Sequence, residues 1–322
     1  MTSIERVDPA DDAVFAALHD VYLRAHDRDI DQPYTALEKR VGLRSDDYKT
    51  MVALLARDDG GTPVGGGWAQ MPLRDNLAFV FFDVFVAPEH RRRGHGSVLL
   101  AALEDLAREA GRSTMFTEAS WLMDEDEPVA KAFADARGYR LDLLDAHRVL
   151  DLPADLPRLR LSEGYTLHGW RGRCPDEWAQ GYADVRGLMV QEAPSGDAPL
   201  ENEFWDVGRV RREEEMWEAQ QRVPQVSVAQ AADGTLVGHT QLVFSLDSEN
   251  VYQWDTLVLP EHRGHGLGLA LKVFTMQEAA DLLEGRRRIH TYNAASNVHM
   301  IAVNEKLGFR QASWSAELVR DL

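Results

Sequence analysis

Residues Asp255-Thr-Leu-Val-Leu-Pro-Glu-His-Arg-Gly-His-Gly-Leu-Gly268 join a run of apolar residues to a loop that contains three glycines. The stretch Asp83-Val-Phe-Val-Ala-Pro-Glu-His-Arg-Arg-Arg-Gly-His-Gly96 has the same order 172 positions earlier. Two further landmarks recur around these stretches at nearly the same spacing: Gly61–Gly65 with Gly234–Gly238, and Gly138–Arg140 with Gly308–Arg310. A repeat of this length predicts two copies of one domain of about 150 residues each.

The boundary between the copies is expected near residue 155. The segment Asp151-Leu-Pro-Ala-Asp-Leu-Pro157 carries two prolines in a polar context, which is typical of a linker. We therefore predict an N-terminal domain over residues 1–154 and a C-terminal domain over residues 155–322. The C-terminal copy is expected to be the working one. The N-terminal copy is expected to be degenerate, and either to bind the same ligand without turnover or to serve mainly in shaping the binding cleft.

Both copies show the same pattern of predicted elements. Apolar residues at helical spacing open each copy, and antiparallel strands with Asp-Gly turns follow. The strands before the loops are expected at 79–86 and 251–259, and the helices after them at 97–110 and 267–283. A meander that runs into a strand–loop–helix–strand unit predicts an α/β fold of the α+β type, with a mixed sheet.

Composition excludes several classes of protein. The 322 residues carry 35 Lys and Arg against 53 Asp and Glu, a net charge of −18, which argues against nucleic acid or an anionic membrane as a partner. Cys174 is the single cysteine, so neither an internal disulfide nor a cysteine-based zinc site is expected. The acidic N-terminal segment lacks the layout of a signal peptide, and no apolar run approaches the ~20 residues of a membrane helix. A cytoplasmic protein is predicted.

The glycine loop predicts a phosphate-binding site. Glycines let backbone N–H groups turn inward, and a helix that begins at the loop adds unpaired N–H groups and the positive end of its dipole. Neither copy has the Gly-Lys-Ser/Thr ending of a Walker loop. A dinucleotide-binding loop would follow its strand directly, whereas Pro-Glu-His-Arg intervenes here. A nucleotide-dependent oxidoreductase stays open as an alternative on the glycines alone.

The remaining pattern, Arg-x-x-Gly-x-Gly after a strand and a proline, resembles the acetyl-CoA loop of the GNAT acyltransferase superfamily. It maps onto Arg263, Gly266 and Gly268 in the second copy, and the first copy has it at residues 91–96. The closing Leu307-Gly-Phe-Arg310 resembles the Leu-Gly-Phe signature of the same superfamily. The resemblance covers both copies and implies two tandem GNAT-like domains.

The resemblance also implies where acetyl-CoA would bind. In that superfamily the strand before the loop pairs with the pantetheine arm, and the loop amides bind the diphosphate. Asparagines after the next strand suit the amides of the arm, and only the second copy has them. The cofactor-binding residues implied in the second copy are Leu257, Val258, Leu259, Arg263, Gly264, His265, Gly266, Leu267, Gly268, Asn293, Asn297, Met300 and Asn304. Those implied in the first copy are Val84, Phe85, Val86, Arg91, Arg92, Arg93, Gly94, His95 and Gly96.

Direct attack of an amine on the thioester needs a base for the ammonium and an acid for the thiolate. Asp255 lies on the strand that leads into the loop and is the candidate base; its alternative role is to cap a turn or to neutralise a neighbouring arginine. Many superfamily members place a tyrosine as the acid four residues before the Gly of Gly-Phe, where this chain has Asn304 and, in the first copy, Ala134. Tyr292 is the candidate substitute.

The resemblance therefore implies an acetyl-CoA-dependent N-acetyltransferase, and a primary amine of a small molecule is the expected acceptor. No metal is expected, because the histidines near the loops lack accompanying carboxylate ligands at metal-site spacing. A protein N-acetyltransferase and a non-catalytic acyl-CoA-binding sensor are the alternatives, the latter because both copies lack the usual tyrosine. The acceptor and the oligomeric state are not predicted.

Overall fold

The computed structural model of the chain describes residues 2–125 and 128–322. Contacts divide the chain into two compact units, and each combines strands and helices in the predicted α/β manner. The first unit comprises the chain up to Trp121 with residues 125–142 and 316–322, and the second comprises residues 122–124 and 143–315. Among the described residues, no helix has both the length and the apolar character that crossing a bilayer requires.

The first repeat forms its elements in the following order: β1 (Ser3–Arg6), α1 (Asp12–Ala25), α2 (Ala36–Gly42), β2 (Lys49–Arg57), β3 (Pro63–Pro72), β4 (Phe79–Val86), α3 (His95–Glu109), β5 (Thr114–Leu122), α4 (Val129–Asp135) and β6 (Arg140–Asp151). A short 3₁₀ helix, Pro88–His90, lies between β4 and the glycine loop.

The second repeat follows the same plan, with one more helix before its second strand and another after the helix that follows the loop. Its elements are β7 (Tyr165–Arg171), α5 (Asp176–Gly187), α6 (Met189–Glu192), α7 (Val207–Ala219), β8 (Arg222–Ala231), β9 (Leu236–Ser245), β10 (Asn250–Val258), α8 (Leu267–Glu278), α9 (Ala280–Leu283), β11 (Arg288–Ala294), α10 (Val298–Lys306) and β12 (Arg310–Asp321). A 3₁₀ helix, Pro260–His262, again precedes the glycine loop.

Each unit has a mixed sheet. Strand order in the first unit is β1-β2-β3-β4-β5, followed by the end of β12. In the second unit it is the beginning of β12, followed by β6-β11-β10-β9-β8-β7. Hairpin-connected strands pair antiparallel, whereas β4 with β5 and β10 with β11 pair parallel because a helix connects them.

The last strand of each repeat lies partly in the unit that contains the other repeat. In the second unit, β6 pairs antiparallel with β11 over Asp145–Asp151. In the first unit, the amide of Leu322 donates to the carbonyl of Ser113, and Arg320 forms an ion pair with Glu104. The predicted boundary near residue 155 concerns the sequence repeats and stays a prediction.

The opening helices form for the expected reasons. Asp11 accepts hydrogen bonds from the first-turn amides of α1, and Phe15, Leu18 and Tyr22 are buried on one face. In the second unit, Tyr182 of α5 is buried in the core in the same way. The sequence pattern did not reveal that a strand, β1 or β7, precedes each opening helix.

Candidate functional site

The strand that leads into the glycine loop and the strand that follows the next helices separate from each other. In the described part of the second unit, β10 pairs with β11 only over its first three residues, Asn250, Val251 and Tyr252. On its other edge β10 continues to pair with β9 as far as Val258 opposite Gly238. The end of β10 therefore borders an opening on the β11 side, a geometry in which an extended ligand can add as a strand. In the first unit β4 and β5 separate in the same way after Phe81.

The residues predicted to line these openings occupy the strand ends. Leu257 is buried and Val258 is half-buried, while the amide of Leu259 donates to the carbonyl of Val237. In the first unit Val84 and Val86 pair with β3, and Phe85 is buried in the core with Leu18. The structure therefore places both predicted sets on the strands that lead to the loops.

The loop of the second repeat presents its backbone to open space. Gly264 and Gly266 adopt left-handed φ angles of +83° and +72°, which favour glycine. A Cβ added at Gly264, Gly266 or Gly268 would meet no heavy atom within 4 Å. Helix α8 begins at Leu267 without a side-chain cap, and within the described chain the amides of residues 264–266 meet no backbone acceptor. This arrangement is a ready site for a phosphate group.

Neighbouring side chains contact the residues of this loop. Ser162 donates to the carbonyl of His265, the ring of Tyr165 lies 5.4 Å from the His265 ring, and Leu267 is buried. Arg263 donates from Nε to the carbonyl of Val258 at 3.0 Å and from Nη2 to Glu192 at 2.8 Å. The guanidinium therefore fixes the loop to the strand end, and its contact with phosphate stays a prediction.

The loop of the first repeat has the same backbone but a different surrounding. A Cβ added at Gly96 would lie 3.4 Å from the ring of Phe133. Arg137 stacks on that ring with its Cζ 3.7 Å from the centroid, and it donates to Oγ of Ser97. Val303 and Leu307 stand at the corresponding positions of the second repeat. The ring of Phe133 thus lies beside Gly96, whereas Gly268 faces open space; Gly94 is as open as Gly266.

Other residues of the first loop also differ from the second. His95 is buried, its Nδ1 lies 2.9 Å from Oγ1 of Thr2, and burial lowers its pKa. Arg92 has a φ of +63° where the second repeat has Gly264. Arg91 donates to the carbonyl of Val86, as Arg263 does in its own repeat, while Arg93 is exposed and Gly94 adopts a φ of +90°.

The candidate base Asp255 is held by an arginine. Its carboxylate lies 3.4 Å from Nε of Arg186, and Nε2 of Gln241 is 3.5 Å away. Arg186 is buried and forms two further hydrogen bonds with Glu213, at 2.8 and 3.1 Å. A third of the Asp255 side chain is exposed. The geometry therefore shows the alternative role, neutralising an arginine, and the role of base stays a prediction.

Tyr292 lies apart from the asparagines. Its ring stacks on His147 with a centroid distance of 4.6 Å, while the next residue, Asn293, is hydrogen-bonded to α10. Successive side chains of a strand point to opposite faces, so the structure does not bring Tyr292 to the position of Asn304. Its role as the acid is a prediction that this geometry does not support.

The predicted asparagines have different environments. Asn297 caps α10 by accepting from the amide of Met300 at 3.1 Å, and Met300 is half-buried. Asn304 is fully buried; its Nδ2 donates to Oδ1 of Asn293 at 2.6 Å, and its Oδ1 accepts from Nζ of Lys272 at 2.8 Å. Burial lowers the pKa of Lys272 to about 7.

Lys272 is a residue that the sequence reasoning missed. A lysine on a helix is usually solvated, so its type gave no signal. A comparison of the two repeats would have revealed it. Lys272 corresponds to Leu100 of the first repeat, and Asn304 corresponds to Ala134. A polar pair that replaces an apolar pair at two core positions indicates a local function.

Comparison with known proteins agrees with this geometry. The profile described as "Acetyltransferase (GNAT) family" matches residues 15–139 and 196–309. The chain is 27% identical to a mycothiol acetyltransferase of Clavibacter sepedonicus, over 96% of this chain and 93% of that protein.

Solved structures show the same fold. A tandem GNAT protein from the clavulanic acid biosynthesis pathway, solved without AcCoA, superimposes with a TM-score of 0.84 at 25% identity, covering 100% of this chain and 98% of that one. A GCN5-related N-acetyltransferase from Sphaerobacter thermophilus superimposes with a TM-score of 0.68 at 18% identity, covering 99% and 95%. The predicted tandem GNAT fold is confirmed, and the chain belongs to the GNAT family of acetyltransferases.

Proposed function

We propose that this chain is an acetyl-CoA-dependent N-acetyltransferase for a small-molecule amine, and that the second unit alone binds the donor. The observation that carries this proposal is the difference between the two loops. The second has open space at all three of its glycines, whereas in the first a Cβ at Gly96 would lie 3.4 Å from the ring of Phe133, on which Arg137 stacks. The family uses acetyl-CoA as its acyl donor, and the open loop has the backbone donors that a diphosphate requires.

The donor would extend from the loop into the opening between β10 and β11. Its pantetheine arm would pair with the end of β10, at Leu257 and Val258, and its thioester would lie beside the strand amides. Backbone N–H groups polarise a carbonyl and stabilise the charge that develops on its oxygen during attack.

The amine nitrogen forms a bond to the acetyl carbon, the carbon–sulfur bond breaks, and the thiolate leaves with the electron pair. The proton that the ammonium loses needs an acceptor, and Asp255 is the candidate. Its ion pair with Arg186 places the carboxylate at a defined position beside the opening helix of the second unit. A small-molecule acceptor is supported by the names of the relatives, which are mycothiol acetyltransferases.

The direct test is release of free thiol from acetyl-CoA in the presence of an acceptor panel. The panel contains small primary amines, mycothiol-related amines and peptides with free N-termini. We expect acceptor-dependent thiol release with a small amine. Turnover with peptides alone would refute the small-molecule part of the proposal, and the absence of acetyl-CoA binding by the folded protein would refute all of it.

A further inference from the structure

Three polar side chains form a hydrogen-bonded line in the second unit, from the interior to the edge of the opening. Lys272 of α8 and Asn304 of α10 are buried, and Asn293 near the end of β11 is half-buried. The line runs from Nζ of Lys272 to Oδ1 of Asn304, and from Nδ2 of Asn304 to Oδ1 of Asn293.

The lysine determines the direction of this line. In its ammonium form, which dominates below its pKa of about 7, Lys272 only donates, so Asn304 turns its oxygen toward Lys272 and its NH₂ toward Asn293. Asn293 must then accept with its own oxygen, which leaves its NH₂ group for a further acceptor. Without the lysine, either amide could rotate by 180° and present oxygen instead.

Stability alone does not account for the lysine. Burial of a charged group costs free energy, and the lowered pKa of Lys272 reflects that cost. The first unit folds with Leu100 and Ala134 at the corresponding positions. The polar line therefore occurs in the repeat whose loop is open at all three glycines, and apolar residues replace it in the repeat whose Gly96 lies beside Phe133.

We propose that Lys272 is a positioning residue for the acyl donor: through Asn304 it orients the amide of Asn293 so that an N–H of Asn293 donates to a carbonyl oxygen of an acyl-pantetheine thioester. Asn293 belongs to the strand that borders the opening opposite the end of β10. This inference rests on the proposed function, because it requires the donor to lie between these strands.

The first test replaces the polar pair by the apolar pair of the other repeat, in the variant K272L/N304A. We expect the melting temperature to stay the same or rise, because the buried charge is gone. The Kd and the KM for acetyl-CoA should both rise about tenfold, the size expected for one lost hydrogen bond in a dry site, with a smaller change in kcat.

The second test, N304D, keeps an acceptor for Lys272 and removes the donor to Asn293. A buried lysine–aspartate pair should preserve folding. The carboxylate can only accept, so Asn293 should turn its NH₂ toward it and present oxygen to the opening, and Kd and KM for acetyl-CoA should rise as in the first variant. K39M is the matched control, because Lys39 is a buried lysine of the first unit and should leave both constants unchanged.

The outcomes separate this inference from the proposed function. If the wild-type protein turns over acetyl-CoA and both variants keep its Kd and KM, Lys272 has no positioning role, whatever their melting temperatures. If K272L/N304A does not fold, N304D alone decides the matter by the same constants. If the folded wild-type protein does not bind acetyl-CoA, the proposed function fails first.

Discussion

Gly268 offers a substitution that should strengthen the fold and abolish donor binding at the same time. It is the second residue of α8, has no left-handed φ, and a Cβ there would meet no heavy atom within 4 Å. Glycine inside a helix costs about 0.5–1 kcal/mol relative to alanine. A carboxylate in the first turn adds about 0.3–1 kcal/mol through the helix dipole. Gly268→Glu should therefore stabilise the second unit by about 1 kcal/mol.

The same carboxylate would occupy the proposed diphosphate site. Two like charges about 4 Å apart near a protein surface repel by about 4 kcal/mol at an effective dielectric constant of 20. Since 1.4 kcal/mol is a factor of ten, and salt screens part of the repulsion, the Kd for acetyl-CoA should rise at least ~100-fold. Calorimetry measures the Kd, and thermal unfolding measures the stability of the same sample.

Gly96→Glu is the matched control in the first repeat. Phe133 already lies beside that position, so the substitution should leave the Kd for acetyl-CoA unchanged. A Gly268→Glu protein that folds and binds acetyl-CoA as the wild type does would refute the placement of the diphosphate. Loss of binding in Gly96→Glu alone would place the donor in the first unit instead.

Three further predictions concern charged groups of the second unit. Arg186→Met should lower the free energy of unfolding by about 3–5 kcal/mol in urea titrations, because it leaves two carboxylates without their buried partner; a loss below 1 kcal/mol would contradict the buried ion-pair network. Asp255→Asn should lower kcat and alter the pH–rate profile if Asp255 is the base, whereas an unaltered kcat and profile would eliminate that role. Between its folded pKa of about 7 and its usual pKa of 10.5, Lys272 binds fewer protons in the folded state than in the unfolded state, so the stability of the wild-type protein should rise with pH across this range. The extra stability of K272L/N304A relative to the wild type should therefore be largest below pH 7 and shrink toward pH 10. A stability difference that does not change with pH would contradict the buried charge.

Local pattern predicted the elements that build the loops. The structure has β4 at Phe79–Val86, as predicted, and β10 within one residue of its predicted bounds at each end. The helix expected over 267–283 is interrupted at Ala279, where α8 ends and α9 begins. Periodicity does not reveal such an interruption, because both segments keep apolar residues at helical spacing.

Features that depend on distant residues were beyond the sequence. The four residues of β1 are too short and too polar for a strand signal, and their pairing with β2 holds them in the sheet. Pattern alone also cannot say which strand β6 would pair with, since alternation fixes a face and not a partner. The contact of Phe133 with Gly96 depends on the packing of α4 beside α3, which the sequence pattern does not define.

The candidate site divides in the same way. The glycines, the strand ends and Asn304 follow from the resemblance to the GNAT superfamily, and the structure has them on the second loop, at the end of β10 and in α10. The contact of Lys272 with Asn304 and the contact of Arg186 with Asp255 depend on which elements pack together, and neither residue belongs to a sequence motif. Buried charged residues of this kind are recognised by the tertiary contacts that they make.

The central claim is that one loop of the two, the one at residues 263–268, binds acetyl-CoA. The stoichiometry of acetyl-CoA binding to the intact chain, measured by titration calorimetry, tests this claim most directly. One site per chain that disappears in Gly268→Glu is the predicted result. Two equivalent sites, or one site that survives Gly268→Glu, would contradict it.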